Sequence, residues 1–206
     1  MGFLYLDTGA LYRAVGLYVC EKKIGSAETG KIEECIDAAN IKIELTYADG
    51  IQRVFLNGED VSEKIRENHI SKYASDVSKI NKVREFLLRL QKDTAENNNV
   101  VMEGRDIATV IMPDADLKIF LTASPEKRAE RRYKELTEKG YKDINYEKIL
   151  KEITERDAQD SNRDVAPLKP APGAVVIDNS DCESHCGTLE MALKIIKEKL
   201  PYVCIR

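Results

Sequence analysis

The sequence is poor in the residues on which most metal and nucleophile chemistry rests. Only two histidines occur, His69 and His185, which speaks against histidine-based metal sites and against nucleophilic triads. The five cysteines, at 20, 35, 182, 186 and 204, are odd in number and form no C-x-x-C pair. Cys182-Glu-Ser-His185-Cys186 is metal-like in composition but lacks the second ligand pair of a structural zinc site, so no metal is expected and the cysteines read as thiols in a reducing compartment. Basic excess is missing too. A net charge of −4 excludes broad binding to a nucleic-acid polymer, where a basic surface supplies most of the affinity. A small anion needs only a local arginine cluster. The apolar opening is interrupted by Asp7 and Arg13 and has no basic flank. Leu6 stands where a myristoylation signal needs Ser or Thr. No membrane partner and a cytoplasmic location follow.

What is present is the make-up of a globular domain, with 43% hydrophobic and 33% charged residues over 206 positions. Strand signals recur at Phe3–Leu6, Val100–Met102, Leu117–Thr122 and Ala174–Ile177, each followed by a helical stretch. Leu11, Val15, Tyr18 and Val19 form one helical face. Glu126–Glu138 reads as a charged helix with Ser124 as N-cap and Pro125 in first position. Leu189, Leu193, Ile196 and Leu200 mark the last helix. Such alternation predicts an α/β fold with a parallel sheet covered by helices. One stretch breaks it: IKIELTYADGIQRVFLNGEDV has two β-rich runs around Asp49-Gly50, a strong hairpin signal. It reads as a small antiparallel insertion.

Three constellations could carry chemistry. In the helix predicted over Ser78–Glu96, Arg84 lies within the apolar arc of Ile80, Val83, Leu87 and Leu90. It either snorkels or is held for an anion or polar ligand, and both readings stand. In the helix starting near Asn145, the stripe Tyr146, Ile149, Ile153 continues in phase as Arg156, Asp160, Arg163. Charge runs are usually solvated, but this continuity favours a lid helix whose outer half closes on a phosphorylated ligand. In VVMEGRDIATV, a strand expected to be buried ends at Glu103, and Arg105 and Asp106 follow where open α/β sheets bind ligands. With Arg13 after the first strand, arginines gather at strand ends and lid, and their forked guanidinium groups match phosphate oxygens. Phosphoryl transfer needs no histidine base, because it rests on positioning and charge neutralisation.

A phosphate loop G-x-x-x-x-G-K-[ST] has one near match, Gly25-SAET-Gly30-Lys31-Ile32. Ile32 replaces the metal-binding hydroxyl, and a helix ending at Glu21-Lys22-Lys23 precedes it instead of a strand. Gly25 and Gly30 are expected to punctuate a loop between helices.

LDTGALYRAV, ASDVSKINKVRE, EGRDIATVIMPDADLKIFLTAS, RAERRYKEL and ERDAQDSNRDVAPL together closely resemble bacterial cytidylate kinases of the nucleoside-monophosphate kinase family, in order and over nearly the whole chain. The resemblance implies a single domain over 1–206 with a P-loop NTPase-like parallel sheet, an antiparallel NMP-binding insertion at about 40–75 and a helical lid at about 125–165. It implies ATP-dependent phosphorylation of CMP or dCMP, with Mg²⁺, by a monomer. By position, Ser75, Arg84 and Asp106 would read cytosine, a base whose exocyclic amine pairs with carboxylates elsewhere. Arg13, Arg105 and Arg163 would hold the acceptor phosphate or the phosphoryl in flight. Arg156 and Asp160 would reach sugar and phosphate, Thr8 would line the acceptor pocket, and Arg131 and Arg132 are weaker candidates for the ATP side. Ala108 stands where the family usually has glycine, and Pro172-Gly173 where Ala-Asp is more typical; both look tolerable. The family's first strand, phosphate loop and first helix, roughly 25 residues or most of a βαβ unit, are expected before Gly2 and are absent from this sequence. Little or no kinase activity is therefore expected of the chain as written. A CMP-binding remnant without activity, or another nucleoside-monophosphate kinase, are the alternative readings.

Overall fold

In the computed structural model, residues 3–26, 28–48, 51–162, 167–182 and 185–203 are described. The chain divides into two compact units, Gly2–Gly104 and Arg105–Arg206.

The first unit begins with strand β1 (Leu4–Asp7), which runs directly into helix α1 (Thr8–Glu21). Asp7 caps that helix, its carboxylate accepting the Ala10 N–H at 3.1 Å, which satisfies one of the donors a helix start leaves open. The apolar face of α1 is wider than the expected stripe: Ala10, Leu11, Ala14, Val15, Leu17, Tyr18 and Val19 are all buried. Other elements cover it on several sides, including α3 (Asn68–Val77) and strand β3 (Ile51–Leu56). At Gly16 the approach to α3 is so close that a Cβ would stand 2.9 Å from the Ala74 amide nitrogen. Helix α2 (Thr29–Asp37) follows α1. Gly25 lies in the connecting loop as expected, whereas Gly30 sits in the first turn of α2.

The insertion is antiparallel. Strand β2 (Ile43–Ala48) pairs with β3 from Ile43↔Leu56 to Ala48↔Ile51, and the Asp49-Gly50 turn lies outside the described residues. A second turn at Asn57-Gly58, with φ of 51° and 87°, leads to β4 (Glu59–Asp60). Two consecutive positive φ values are the type I′ geometry that Asn-Gly favours. A 3₁₀ turn at Lys64–Arg66, α3, and α4 (Asn81–Glu96) then lead to β5 (Val100–Glu103). Strand β5 lies parallel to β1, from Leu4↔Val100 to Asp7↔Glu103. The core joins α1 to Ile32, Ile41, Val54, Ile70, Val77, Val83 and Leu87.

β5 departs from the expected burial. Among the described residues it pairs only with β1, and Val101 and its register partner Tyr5 are 49% and 41% exposed. A strand's burial depends on what covers its faces, and an apolar run does not specify that.

The second unit holds a π-helical turn (Ile107–Ile111), β6 (Ile119–Thr122), α5 (Pro125–Glu138), α6 (Tyr146–Ser161), β7 (Val175–Asp178) and α7 (His185–Lys199). β6 and β7 pair in parallel, Ile119↔Val175 to Thr122↔Asp178. The two charged helices start where their caps predict: Ser124 Oγ accepts from Lys127 N at 3.2 Å and Asn145 Oδ1 from Lys148 N at 2.7 Å. They pack together through Ala129, Leu136 and Ile149, with Tyr146, Leu150 and Ile153 at the margin. No helix among the described residues is long and apolar enough to cross a membrane.

Candidate functional site

The first group of candidates surrounds the end of β1. Asp7 Oδ2 lies 2.7 Å from Arg13 Nη2 while Oδ1 caps the helix, so one carboxylate fixes both the helix start and the guanidinium. Glycine at position 9 leaves room for that pair, since a Cβ there would lie 3.0 Å from Asp7 Oδ1 and 3.4 Å from Arg13 Nη1. Thr8 is buried, and its hydroxyl donates to the Glu103 carbonyl at 2.8 Å, tying the start of α1 to the end of β5. Next to it, the Tyr5 hydroxyl is pushed above the ordinary phenol range, first by desolvation and then by its hydrogen bond to the Glu103 carboxylate.

Ser75 and Arg84 are both linked to Ser78, at the corner between α3 and α4. Ser78, which ends α3, donates its hydroxyl to the Ser75 carbonyl at 2.8 Å. Its own carbonyl faces Arg84 Nη1 at 3.4 Å. Arg84 therefore turns back to the Ser78 carbonyl at this corner. The apolar arc Ile80, Val83, Leu87 carries it there.

The remaining candidates belong to the second unit. Asp160, on α6, is 1% exposed, so the polar part of the stripe carries one buried carboxylate, while Arg156 one turn before it stays exposed. A buried carboxylate needs compensating charge. Arg105 Nε at 3.6 Å and Arg156 Nε at 3.9 Å supply it. One turn earlier, Asp157 takes a fork from Arg128, with Nη1 at 3.0 Å and Nη2 at 2.5 Å, and lies 3.9 Å from Arg105 Nη1. Three arginines from three segments thus share two carboxylates of one helix. Arg105 and Arg156 keep 38% and 49% of their side chains exposed. A guanidinium has five N–H donors, more than the two carboxylates beside Arg105 take up.

Asp106 is buried and precedes the π-helical turn. Its carbonyl accepts from the amides of Thr109, Val110 and Ile111 at 3.3, 2.9 and 3.4 Å, and Met112 N reaches the Ile107 carbonyl at 2.7 Å. Such wide turns are frequent at functional sites. Arg131 is engaged with the turn after β7: it donates to Asn179 Oδ1 at 3.0 Å and to the carbonyls of Asn179 and Cys182 at 2.6 and 3.0 Å. Arg132 pairs with Glu135 at 2.7 Å. Lys139 and then Arg132 hold the Glu135 carboxyl below its usual range. Arg163 lies outside the described residues. The described residues contain no group of three or more His, Cys, Asp or Glu placed to hold a metal ion, and Cys20, Cys35, Cys182 and Cys186 are thiols.

Sequence reasoning missed Asp157 and Arg128 as members of these clusters, and it placed the Asp7-Thr8-Gly9 turn beside Arg13 without giving Asp7 a role. Asp7 had a signal, being the polar residue that ends the first strand. The Arg128–Asp157 fork joins positions 29 apart in sequence and had none beyond charge.

The family model for cytidylate kinase matches residues 1–198. Among curated proteins, the cytidylate kinase of Caldicellulosiruptor bescii is 47% identical over 203 residues, covering 97% of this chain and 88% of that protein. That of Caldicellulosiruptor saccharolyticus is 49% identical over 199 residues, or 95% and 87% of the two chains. The cytidylate kinase of Thermotoga neapolitana is 44% identical over 200 residues, or 97% and 88%.

Proposed function

The chain belongs to the cytidylate kinase family, and from that premise we propose that it transfers the γ-phosphoryl group of ATP to CMP or dCMP, giving ADP and CDP or dCDP. Family membership over residues 1–198 is the observation that carries the reading.

The chemistry asks the protein for positioning and charge neutralisation more than for covalent participation. On the acceptor side, Ser75 and Arg84 donate to the cytosine ring nitrogen and carbonyl, and Asp106 accepts from the exocyclic amine. Uracil carries a carbonyl at that position and would face the carboxylate with no proton to offer. Arg13, set by Asp7, grips the acceptor phosphate together with Arg105 and Arg163, and Thr8 lines the pocket. Arg156 and Asp160 address sugar and phosphate. The carboxylate of Asp160 draws Arg105 and Arg156 toward one point, which lowers the reorganisation needed when a phosphate arrives. Residues 40–75 act as the nucleotide-binding insertion and 125–165 as the lid. Arg131 and Arg132 are the weaker assignments to the ATP side. Mg²⁺ would accompany ATP as part of the MgATP substrate and neutralise charge on its phosphates. The partners are free nucleotides, and the protein works as a cytoplasmic monomer.

The test is acceptor selectivity, read as ADP formed with CMP, dCMP, UMP or AMP, alongside equilibrium binding of each monophosphate. CMP and dCMP are expected to lead in both measurements. Equal or stronger response to AMP would overturn the assignment.

A further inference from the structure

One side chain of the antiparallel insertion reaches the backbone of Asp7, whose carboxylate holds Arg13. Gln52 sits on β3, opposite Tyr47 of β2. Its Oε1 accepts the Asp7 N–H at 2.9 Å, and its Nε2 faces the Asp7 carbonyl at 3.4 Å. A primary amide carries one acceptor and donors on a planar frame, as a peptide group does. Gln52 therefore stands where the peptide of a neighbouring strand would, engaging the N–H and C=O of the last residue of β1. Asp7 is then held at every polar group: its backbone by Gln52, one carboxylate oxygen by the Ala10 N–H and the other by Arg13. Nothing about strand formation requires this. β3 is already paired along its length with β2 and, at Phe55 and Leu56, with β4. The neighbouring Arg53 is spent on an exposed ion pair with Asp60.

We propose that Gln52 is a positioning residue that couples the antiparallel insertion to the Asp7–Arg13 pair, so that the placement of the insertion sets the aim of Arg13 at the acceptor phosphate. This rests on the reading of Arg13 as a phosphate-gripping residue. A shift of β3 moves Gln52, Gln52 carries the Asp7 backbone, and the Asp7 carboxylate carries the guanidinium. Two of these links are hydrogen bonds at 2.9 and 2.7 Å. A role of this kind acts on the phosphate and not on the base.

Gln52→Leu and Gln52→Glu are tested by calorimetric titration with CMP and with cytidine, which lacks the phosphate. Gln52→Leu removes both amide contacts. It is expected to weaken CMP about three- to tenfold, the scale of a misplaced hydrogen-bonding group, and to leave cytidine within about twofold of wild type. Gln52→Glu keeps the length and the acceptor for the Asp7 N–H, but turns a carboxylate oxygen toward the Asp7 carbonyl that Nε2 faces and should weaken CMP at least as much. It serves the same comparison if the leucine variant fails to fold. Equal losses for CMP and cytidine, or no loss for either, overturn the role of Gln52 while wild type still binds CMP. A wild-type chain that binds CMP no better than cytidine overturns the phosphate reading of Arg13, and the coupling falls with it.

Discussion

Replacing Gly16 by alanine tests how closely α1 and α3 pack, and through α3 it reaches a residue assigned to the base. The added Cβ would lie 2.9 Å from the Ala74 amide nitrogen and 3.1 Å from both the carbonyl carbon and Cβ of Tyr73. Two of those atoms are backbone, so no side-chain rotation relieves the contact and α3 has to shift. Overpacking a well-filled core costs about 1–3 kcal/mol. Alanine returns about 0.8–1 kcal/mol, because it is a better helix former than glycine in a helix interior. The net expectation is a loss of about 1 kcal/mol, or roughly 2–4 °C in Tm for a chain of this size. Ser75 follows Ala74 directly, so CMP binding should weaken with stability. Gly30→Ala is the matched control. It too lies in a helix, but a Cβ there meets nothing within 4 Å, leaving a gain of a few tenths to about 1 kcal/mol. Urea denaturation followed by circular dichroism reads both variants. The same substitution should move the midpoint down at 16 and up at 30. A Gly16→Ala protein as stable as wild type, or two shifts of the same sign, would refute the packing argument.

Asp106→Ala should weaken CMP binding more than ATP binding, since Asp106 is assigned to the cytosine amine; equal losses in parallel titrations would count against that role. The Arg128–Asp157 fork is partly shielded, and a double-mutant cycle of Arg128→Ala and Asp157→Ala should show a coupling of about 1 kcal/mol in denaturation midpoints, with additive losses speaking against it. The raised Tyr5 hydroxyl has a signed consequence in pH. A group that holds its proton more tightly when folded gives stability that is complete below its unfolded value of 10.0 and is lost as pH climbs above it. Wild type should therefore lose stability on titration above that value, and Tyr5→Phe should lose less over the same range; identical alkaline losses would reject the shift.

Much of the fold was legible because its signals are local. Ser124-Pro125 and Asn145 name helix starts through hydrogen bonds that close within three residues, and the strand–helix alternation follows from short apolar runs and helical periodicity. The Asn57-Gly58 turn carried an equally local signal, and Asp49-Gly50 alone was singled out. The candidate residues were legible as residue types at motif positions: the stripe Ile149, Ile153, Arg156, Asp160 kept helical phase, and that phase put Asp160 inside.

What sequence could not decide was the environment of those positions. Whether the charged end of α6 faces water or a cluster depends on Arg105, which meets Asp160 across 55 positions of chain. What holds Arg13 is the carboxylate of Asp7, and the Asp7 backbone is met by Gln52, 45 residues away. Burial of β5 turned on what lies against Val101, and an apolar pattern carries no record of that. The sequence by itself determined the order of elements, their caps and the chemical identity of the arginines and carboxylates, because these are properties of single residues and near neighbours. Only the tertiary structure decided which carboxylate holds which guanidinium. Ion pairs and amide clamps between distant segments form where packing brings their backbones together, and packing is a property of the whole chain.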